Sequence, residues 1–189
     1  MIEPEFLIKA YRMGIFPMAL DGGEIGWFSP DPRGIIPLEE FHLPHGLRRS
    51  MRSEGFDIRV NRSFEGVMRG CAEREETWIN EIILRSFCEL HRLGYAHSVE
   101  AWRGGELVGG LYGVSIGGAF FGESMFSRES NASKVALAHL VQRMRSRGLT
   151  LLDTQWTNPH LEQFGCREVS RRDYLERLRK ALQLGVRFA

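Results

Sequence analysis

Lysine is nearly absent from this sequence: only Lys9, Lys134 and Lys180 occur, beside 22 arginines. A high genomic GC content accounts for that bias as well as any function does. Cysteine is scarce too. Cys71, Cys88 and Cys166 are odd in number, far apart and without CxxC spacing, which argues against a disulfide framework or a zinc site and predicts reduced thiols buried as small hydrophobes. No apolar run approaches the roughly 20 residues that cross a bilayer, so no membrane partner is expected. Residues 1–5 are acidic and carry neither a basic n-region nor a small-residue cleavage site, which predicts a cytoplasmic protein. His42, His45, His91, His97, His139 and His160 form no HExxH or paired Cys/His pattern, so no metal is expected. Gly122-Glu123-Ser124-Met125-Phe126 is not GxSxG, and Walker-type and dinucleotide-binding glycine patterns are missing, which leaves no signal for a covalent nucleophile or a cofactor.

What is present fits a soluble globular chain. The 189 residues are 43% hydrophobic and 26% charged, near the averages for such proteins and enough for one domain with a small extension. A net charge of +1 argues against indiscriminate nucleic-acid binding. Locally the balance shifts: residues 46–69 hold six arginines against three acids, and 143–180 hold nine basic residues against five acids. These segments are either solvated helix faces or surfaces for phosphate, and charge alone does not decide between them.

The pattern along the chain is mixed. Pro4 opens a helix expected over 4–13, with Phe6, Leu7, Ala10 and Tyr11 on one stripe and Gly14 as its stop. From 15 to 37, prolines and glycines predict turn-rich backbone, whose Phe16, Trp27 and Phe28 line a groove or pin the loop to the core. Residues 56–60 alternate as a half-buried strand, followed by a short helix after Asn61 or Ser63 and a longer one from 80 to about 93. Residues 96–102, 107–114 and 119–125 read as an antiparallel meander joined by glycine turns. Asn131 is expected to cap a helix running to 147, Gly148 to end it, and 150–155 to form a buried strand. A short helix over 159–164 precedes a last one, opened by Ser170 with Asp173 and ending near 181, after which the tail looks weakly anchored. This order predicts an α+β domain around one mostly antiparallel sheet.

A meander followed by a helix and another strand resembles the architecture of GNAT-type acyltransferases, in which two central strands splay and the acyl donor enters the gap. Those enzymes hold the pyrophosphate of coenzyme A on a glycine-rich turn opening the next helix. Here that turn reads Ser127-Arg128-Glu129-Ser130-Asn131-Ala132-Ser133-Lys134, without glycine, which disfavours coenzyme A. Glu123, and Asp153 with Gln155 on one strand face, stand where side chains would point into such a gap. An unpaired polar group there costs about 1–3 kcal/mol, so these three are either paired structurally or held for a substrate.

Ala10-Tyr11-Arg12-Met13-Gly14-Ile15-Phe16-Pro17, Trp27-Phe28-Ser29-Pro30-Asp31-Pro32-Arg33, Thr77-Trp78-Ile79 and the stretch 109–127 resemble the leucyl/phenylalanyl-tRNA-protein transferases. So do Asn131-Ala132-Ser133-Lys134, Leu152-Asp153-Thr154-Gln155, His160-Leu161 and Ser170-Arg171-Arg172-Asp173-Tyr174, so the likeness covers about 8–180. The resemblance implies a small N-terminal region, 1–36, and a GNAT-like aminoacyltransferase domain, 37–189. It implies transfer of Leu or Phe, with Met a further candidate, from aminoacyl-tRNA to the α-amine of proteins that begin with Arg or Lys, creating an N-degron. Trp78 is then expected to stack on the 3′-terminal adenine, and Leu111, Phe120, Met144 and Leu152 to line the side-chain pocket. Glu123, Asp153 and Gln155 are expected to be the catalytic residues around the reacting ester and amine, with Asp153 and Gln155 taking part in proton handling. The arginines of 48–52 and 143–147 become candidate phosphate contacts, and a monomer without cofactor is expected. Two departures stand out: Met18, expected to contact the adenosine as a further substrate-binding residue, occupies a position where the family often has Trp, and the N-terminal region is short. An acyl-CoA-dependent N-acyltransferase and a silent RNA- or degron-binding module are the competing classes.

Overall fold

The computed structural model describes residues 1–53, 55–74 and 76–189, leaving aside the side chains of Ser50, Arg52 and Ser53. Helix α1 (Pro4–Arg12) buries Leu7, Ala10 and Tyr11. Gly14 ends it at φ +76°, where a Cβ would lie 2.8 Å from the Tyr174 ring, so glycine is required twice over.

The turn-rich stretch is more ordered than its prolines suggest. β1 (Phe16–Ala19) and β2 (Ile25–Phe28) form an antiparallel hairpin, and β3 (Arg33–Ile36) leaves it to join the main sheet. Each strand has only four residues, too short for an alternating pattern to stand out between Pro17, Gly26, Pro30 and Pro32. A 3-10 turn at Leu38–Glu40 and helix α2 (His45–Ser53) follow, then β4 (Asp57–Val60), α3 (Phe64–Ala72) and α4 (Glu81–Arg92). The Asn80 side chain caps α4 by accepting from the Ile83 N–H at 2.9 Å, a usual role for asparagine at a helix start.

The meander forms as expected: β5 (Ala96–Arg103), β6 (Glu106–Ile116) and β7 (Ala119–Ser127) pair antiparallel in turn. Helix α5 (Ala132–Arg147) and strand β8 (Leu151–Gln155) come next, then α6 (Pro159–Glu162), β9 (Arg167–Val169) and α7 (Arg171–Leu182). The seven strands run β4-β5-β6-β7-β8-β3-β9. Among the described residues only β7 and β8 pair parallel; the other five pairings of this sheet are antiparallel. This is an α+β fold with helices on both faces of one sheet.

One core lies between the sheet and α1, α3, α4 and α7, around Tyr11, Phe87, Tyr112 and Phe121. The other lies under α5, around Phe120, Val141, Met144 and Leu152. Two expectations fail. Asn131 does not cap α5 with its side chain; it sits at φ +67°, and the Ser133 N–H donates to Ser127 Oγ at 2.9 Å instead. The tail is anchored, not loose. Phe188 is 1% exposed, with its ring centroid 5.0 Å from Phe120 and 4.9 Å from His97. Arg143 Nε also donates to the Phe188 carbonyl at 2.8 Å. A single aromatic in a polar terminus has no periodicity to announce it. Cys71 and Cys166 are buried, Cys88 is half-buried and all three are free; burial pushes the Cys71 thiol up to about 12. Among the described residues, no helix is long and apolar enough to cross a membrane.

Candidate active site

The site begins where two parallel strands part. β7 pairs with β8 only through Ala119–Leu151, Phe120–Leu152 and Phe121–Asp153. Beyond that β7 stays with β6 while β8 turns away, and a cavity of about 720 Å³ opens between them. The turn is made at Gln155, which adopts φ +66°, a left-handed conformation that costs a non-glycine residue about 1 kcal/mol or more. Gly34 pairs opposite it on β3, and a Cβ there would fall 2.5 Å from the Trp156 carbonyl carbon. Only glycine lets the chain fold back so closely.

Leu111, Met125, Leu137, Leu140 and Leu152 give the cavity an apolar wall, and Met18, Trp78, Trp156 and His160 also face it. The Ala19 N–H donates to the Trp78 carbonyl at 3.1 Å, fastening the β1 strand to the segment that carries this indole.

Polar groups collect at one end. Tyr11 donates to Glu123 Oε1 at 2.7 Å across 112 residues of sequence. Glu123 Oε2, Gln155 Nε2 and the Tyr112 hydroxyl are buried without a hydrogen-bond partner among the described residues. All three residues line the cavity, and such groups cost about 1–3 kcal/mol each when nothing satisfies them. Burial raises the Glu123 carboxyl to about 8; Tyr11 and the nearby Gln155 amide pull it down, Asp153 pushes it up and Arg33 pulls it down again. The Gln155 amide stands near enough to act on Glu123 without closing a hydrogen bond of ordinary geometry. Glu123 is therefore largely a neutral acid at pH 7. Burial, and then Glu123, also hold the Tyr11 and Tyr112 hydroxyls well above their usual range.

Behind Gln155 lies a second, saturated cluster. Asp153 is fully buried and forms a bidentate ion pair with Arg33, Nε to Oδ1 at 2.9 Å and Nη2 to Oδ2 at 2.7 Å. Tyr174 donates to Oδ2 at 2.7 Å and the Gln155 backbone N–H to Oδ1 at 2.8 Å. Among the described residues, no group of three His, Cys, Asp or Glu could hold a metal ion.

The model of the family described as leucyl/phenylalanyl-tRNA protein transferase matches residues 35–179, and that of its N-terminal domain matches residues 1–31. The chain belongs to this family. Its relatives of that name include one from Paramagnetospirillum magneticum, 58% identical over 96% of this chain and 90% of its own length. One from Gloeobacter violaceus is 54% identical over 99% of this chain and 97% of its own. One from Rubrobacter xylanophilus is 51% identical over 100% and 99%. Among solved structures, L-PGS from Bacillus licheniformis is 16% identical with a TM-score of 0.47, covering 84% of this chain and 52% of that one. A GCN5-related N-acetyltransferase-like protein from Streptococcus suis is 17% identical with a TM-score of 0.43, over 88% and 64%. The fold as described rests on the strand pairings themselves.

In this transferase-family chain the cavity gathers Glu123, Gln155, Trp78, Met18, Leu111 and Leu152 from the expected site residues. Three others lie elsewhere. Phe120 and Met144 are fully buried in the core under α5, one layer behind Leu111 and Leu152, and they do not line the cavity. Asp153 sits behind Gln155, also outside the lining. Met125, Leu137 and Leu140 take wall positions that the sequence reading does not name. Arg33, Tyr174, Tyr11 and Tyr112 are equally unannounced, although Tyr11, Arg33 and Tyr174 stand inside the motifs that carry the resemblance. Of the arginines, Arg143 and Arg145 hold backbone carbonyls, those of Phe188 and Leu38. The Arg52 side chain lies outside the described residues.

Proposed function

We propose that this aminoacyltransferase moves Leu or Phe, and Met as a close analogue, from aminoacyl-tRNA to the α-amine of proteins that begin with Arg or Lys. The observation that carries the reading is an apolar cavity, opened by the parting of β7 and β8, that ends on three unpartnered polar atoms. An apolar amino-acid side chain satisfies the wall, and an ester with an attacking amine satisfies the polar end.

In this reading Trp78 stacks on the terminal adenine, a contact worth about 1–3 kcal/mol, with Met18 as a softer second surface. Leu111 and Leu152, joined by Met125, Leu137 and Leu140, enclose the donor side chain, and Phe120 and Met144 stiffen that wall from behind. Selection by shape alone discriminates weakly, since one methylene is worth about 1–3 kcal/mol, which favours modest promiscuity. The amine nitrogen attacks the ester carbonyl, the carbon–oxygen bond to the ribose breaks, and the released 3′-oxygen takes up a proton as the amine loses one. An α-amine has a pKa near 8 and an aminoacyl ester is already activated, so a strong base is unnecessary. The Gln155 amide and the neutral Glu123 carboxyl supply donors toward the developing oxyanion, and alignment supplies much of the rate.

We place the small N-terminal region at 1–36, contributing Met18 and ending in the strand β3, and the transferase domain at 37–189. Arg48 and Arg49 on α2 and Arg147 at the end of α5 are exposed candidates for tRNA phosphate, and the salt dependence of binding reports such contacts. The protein acts in the cytoplasm as a monomer, and its product carries an N-degron.

The test mixes purified protein with labelled Leu-tRNA and a peptide beginning with Arg, with Phe-tRNA and a Glu-starting peptide in parallel. Label entering the Arg peptide alone, and lost in Trp78→Ala, supports the reading. Tight tRNA binding without transfer to any peptide supports a silent binding module instead.

A further inference from the structure

We infer that Arg33 is a positioning residue of the transfer reaction, holding Asp153 as a fixed strut that aims the Gln155 amide, while Asp153 itself handles no proton. This rests on the aminoacyl-transfer reading above and deepens it.

Asp153 has no free acceptor position. Each carboxylate oxygen has two lone-pair directions, and all four are taken: Oδ1 by Arg33 Nε and the Gln155 N–H, Oδ2 by Arg33 Nη2 and the Tyr174 hydroxyl. Arg33 and Asp153 are 1% and 0% exposed, and Asp153 does not reach the cavity. Removing a proton from an incoming amine would require Asp153 to break one of these bonds in a site closed to water.

What the cluster fixes is the turn at Gln155. Its left-handed backbone needs an enforced partner, and the Asp153 side chain supplies one by capturing the Gln155 N–H at 2.8 Å. The result is a side-chain amide that faces the cavity with its Nε2 unpaired. Arg33 reaches the other polar arm as well. Its Nη1 donates to the Gly14 carbonyl at 2.9 Å, just beyond the helix whose Tyr11 holds Glu123. One guanidinium thus references both Gln155 and Glu123.

The geometry is specific to arginine. The guanidinium carbon lies 4.9 Å from the Phe16 ring centre and 4.5 Å from that of Tyr174, so the planar group packs against both rings while its edge donates in three directions. Lysine reproduces the charge and neither the fork nor the stacking. Stability alone does not explain the arrangement, because a buried ion pair is often no more stabilising than apolar residues of the same volume.

The experiment uses Arg33→Lys and the milder Tyr174→Phe, which removes one donor and keeps the ring. Transfer kinetics with saturating Leu-tRNA are measured beside the affinity for a non-hydrolysable leucyl-adenosine amide, and Gln155 amide hydrogen exchange is followed by NMR. For R33K we expect kcat to fall about 100-fold while the analogue's Kd moves by less than about twofold, the split that misalignment of a reacting group produces. Y174F gives a smaller loss of the same form, about tenfold or less, and decides the matter where R33K fails to fold. Gln155 exchange accelerates in both. Wild-type kcat in the variants, exchange that stays protected, or kcat falling in step with analogue affinity would overturn the positioning role. A wild-type chain that transfers nothing overturns the functional reading, and the positioning role with it; transfer by wild type and variants alike overturns the positioning role only.

Discussion

Glu123 combines full burial, one hydrogen bond to Tyr11 and one unpaired oxygen, and its carboxyl is raised from 4.5 to about 8. Its consequence for stability has a definite sign. Between those values the unfolded chain has released the proton and the folded chain retains it, so stability falls as pH rises. His97 works in the opposite sense lower down: burial lowers it from 6.5 to about 4, so its contribution is lost as pH falls through that window. Glu123 therefore governs the interval from about 6.5 to 8, with a slope approaching 1.4 kcal/mol per pH unit. Denaturant titrations should show wild-type stability declining there and Glu123→Gln nearly flat; parallel declines would place the proton elsewhere. Tyr112 makes a second residue-scale case. Its buried hydroxyl has no partner, so Tyr112→Phe should unfold at the same denaturant concentration or a higher one, and a clear loss of stability would mean that the hydroxyl is satisfied. The polar end was only half legible in the sequence. Glu123, Asp153 and Gln155 stand out as polar residues in strand runs, but the partner of Glu123 lies 112 residues away and those of Asp153 lie 120 and 21 away, and nothing local marks Arg33 as the mate of Asp153.

At the scale of elements, the backbone around β3 and β8 carries the site more than any one side chain. Gly34 faces Trp156 at a distance that no side chain can share. Gly34→Ala should cost about 1–3 kcal/mol by overpacking and depress transfer beyond what stability explains, read as kcat for the folded fraction; wild-type kcat would show that the turn tolerates displacement. The tail is a second such element. Phe188 fills the core under α5 against Phe120, and Phe188→Ala should destabilise by about 3–5 kcal/mol in chemical denaturation, whereas a change below about 1 kcal/mol would mean the tail is peripheral. Elements with their own signals were readable. The meander has glycine turns and period-two runs, and α4 and α7 have side-chain caps. The hairpin of β1 and β2 and the strands β3 and β9 were not, because three- or four-residue strands flanked by proline and glycine acquire their identity from partners across the sheet.

For the whole molecule, the decisive feature is topological: a sheet that is antiparallel except between β7 and β8, and that opens there. The sequence anticipates the gap through its meander, helix and strand order, and the resemblance motifs supply most of the residues that line it. What it does not anticipate is depth, since Phe120 and Met144 fall behind the wall rather than on it, and no periodicity separates those two layers. On the proposed function, this gap takes an apolar aminoacyl-adenosine end and delivers its acyl group to a basic N-terminus. The most direct measurement is single-turnover transfer from labelled Leu-tRNA to an Arg-starting peptide, with wild type, Trp78→Ala and Leu152→Arg compared under identical folding. Wild type should transfer and both variants should lose transfer while each remains folded; full activity with Leu152→Arg would contradict the proposed function, because the acyl side chain would then lie outside the cavity.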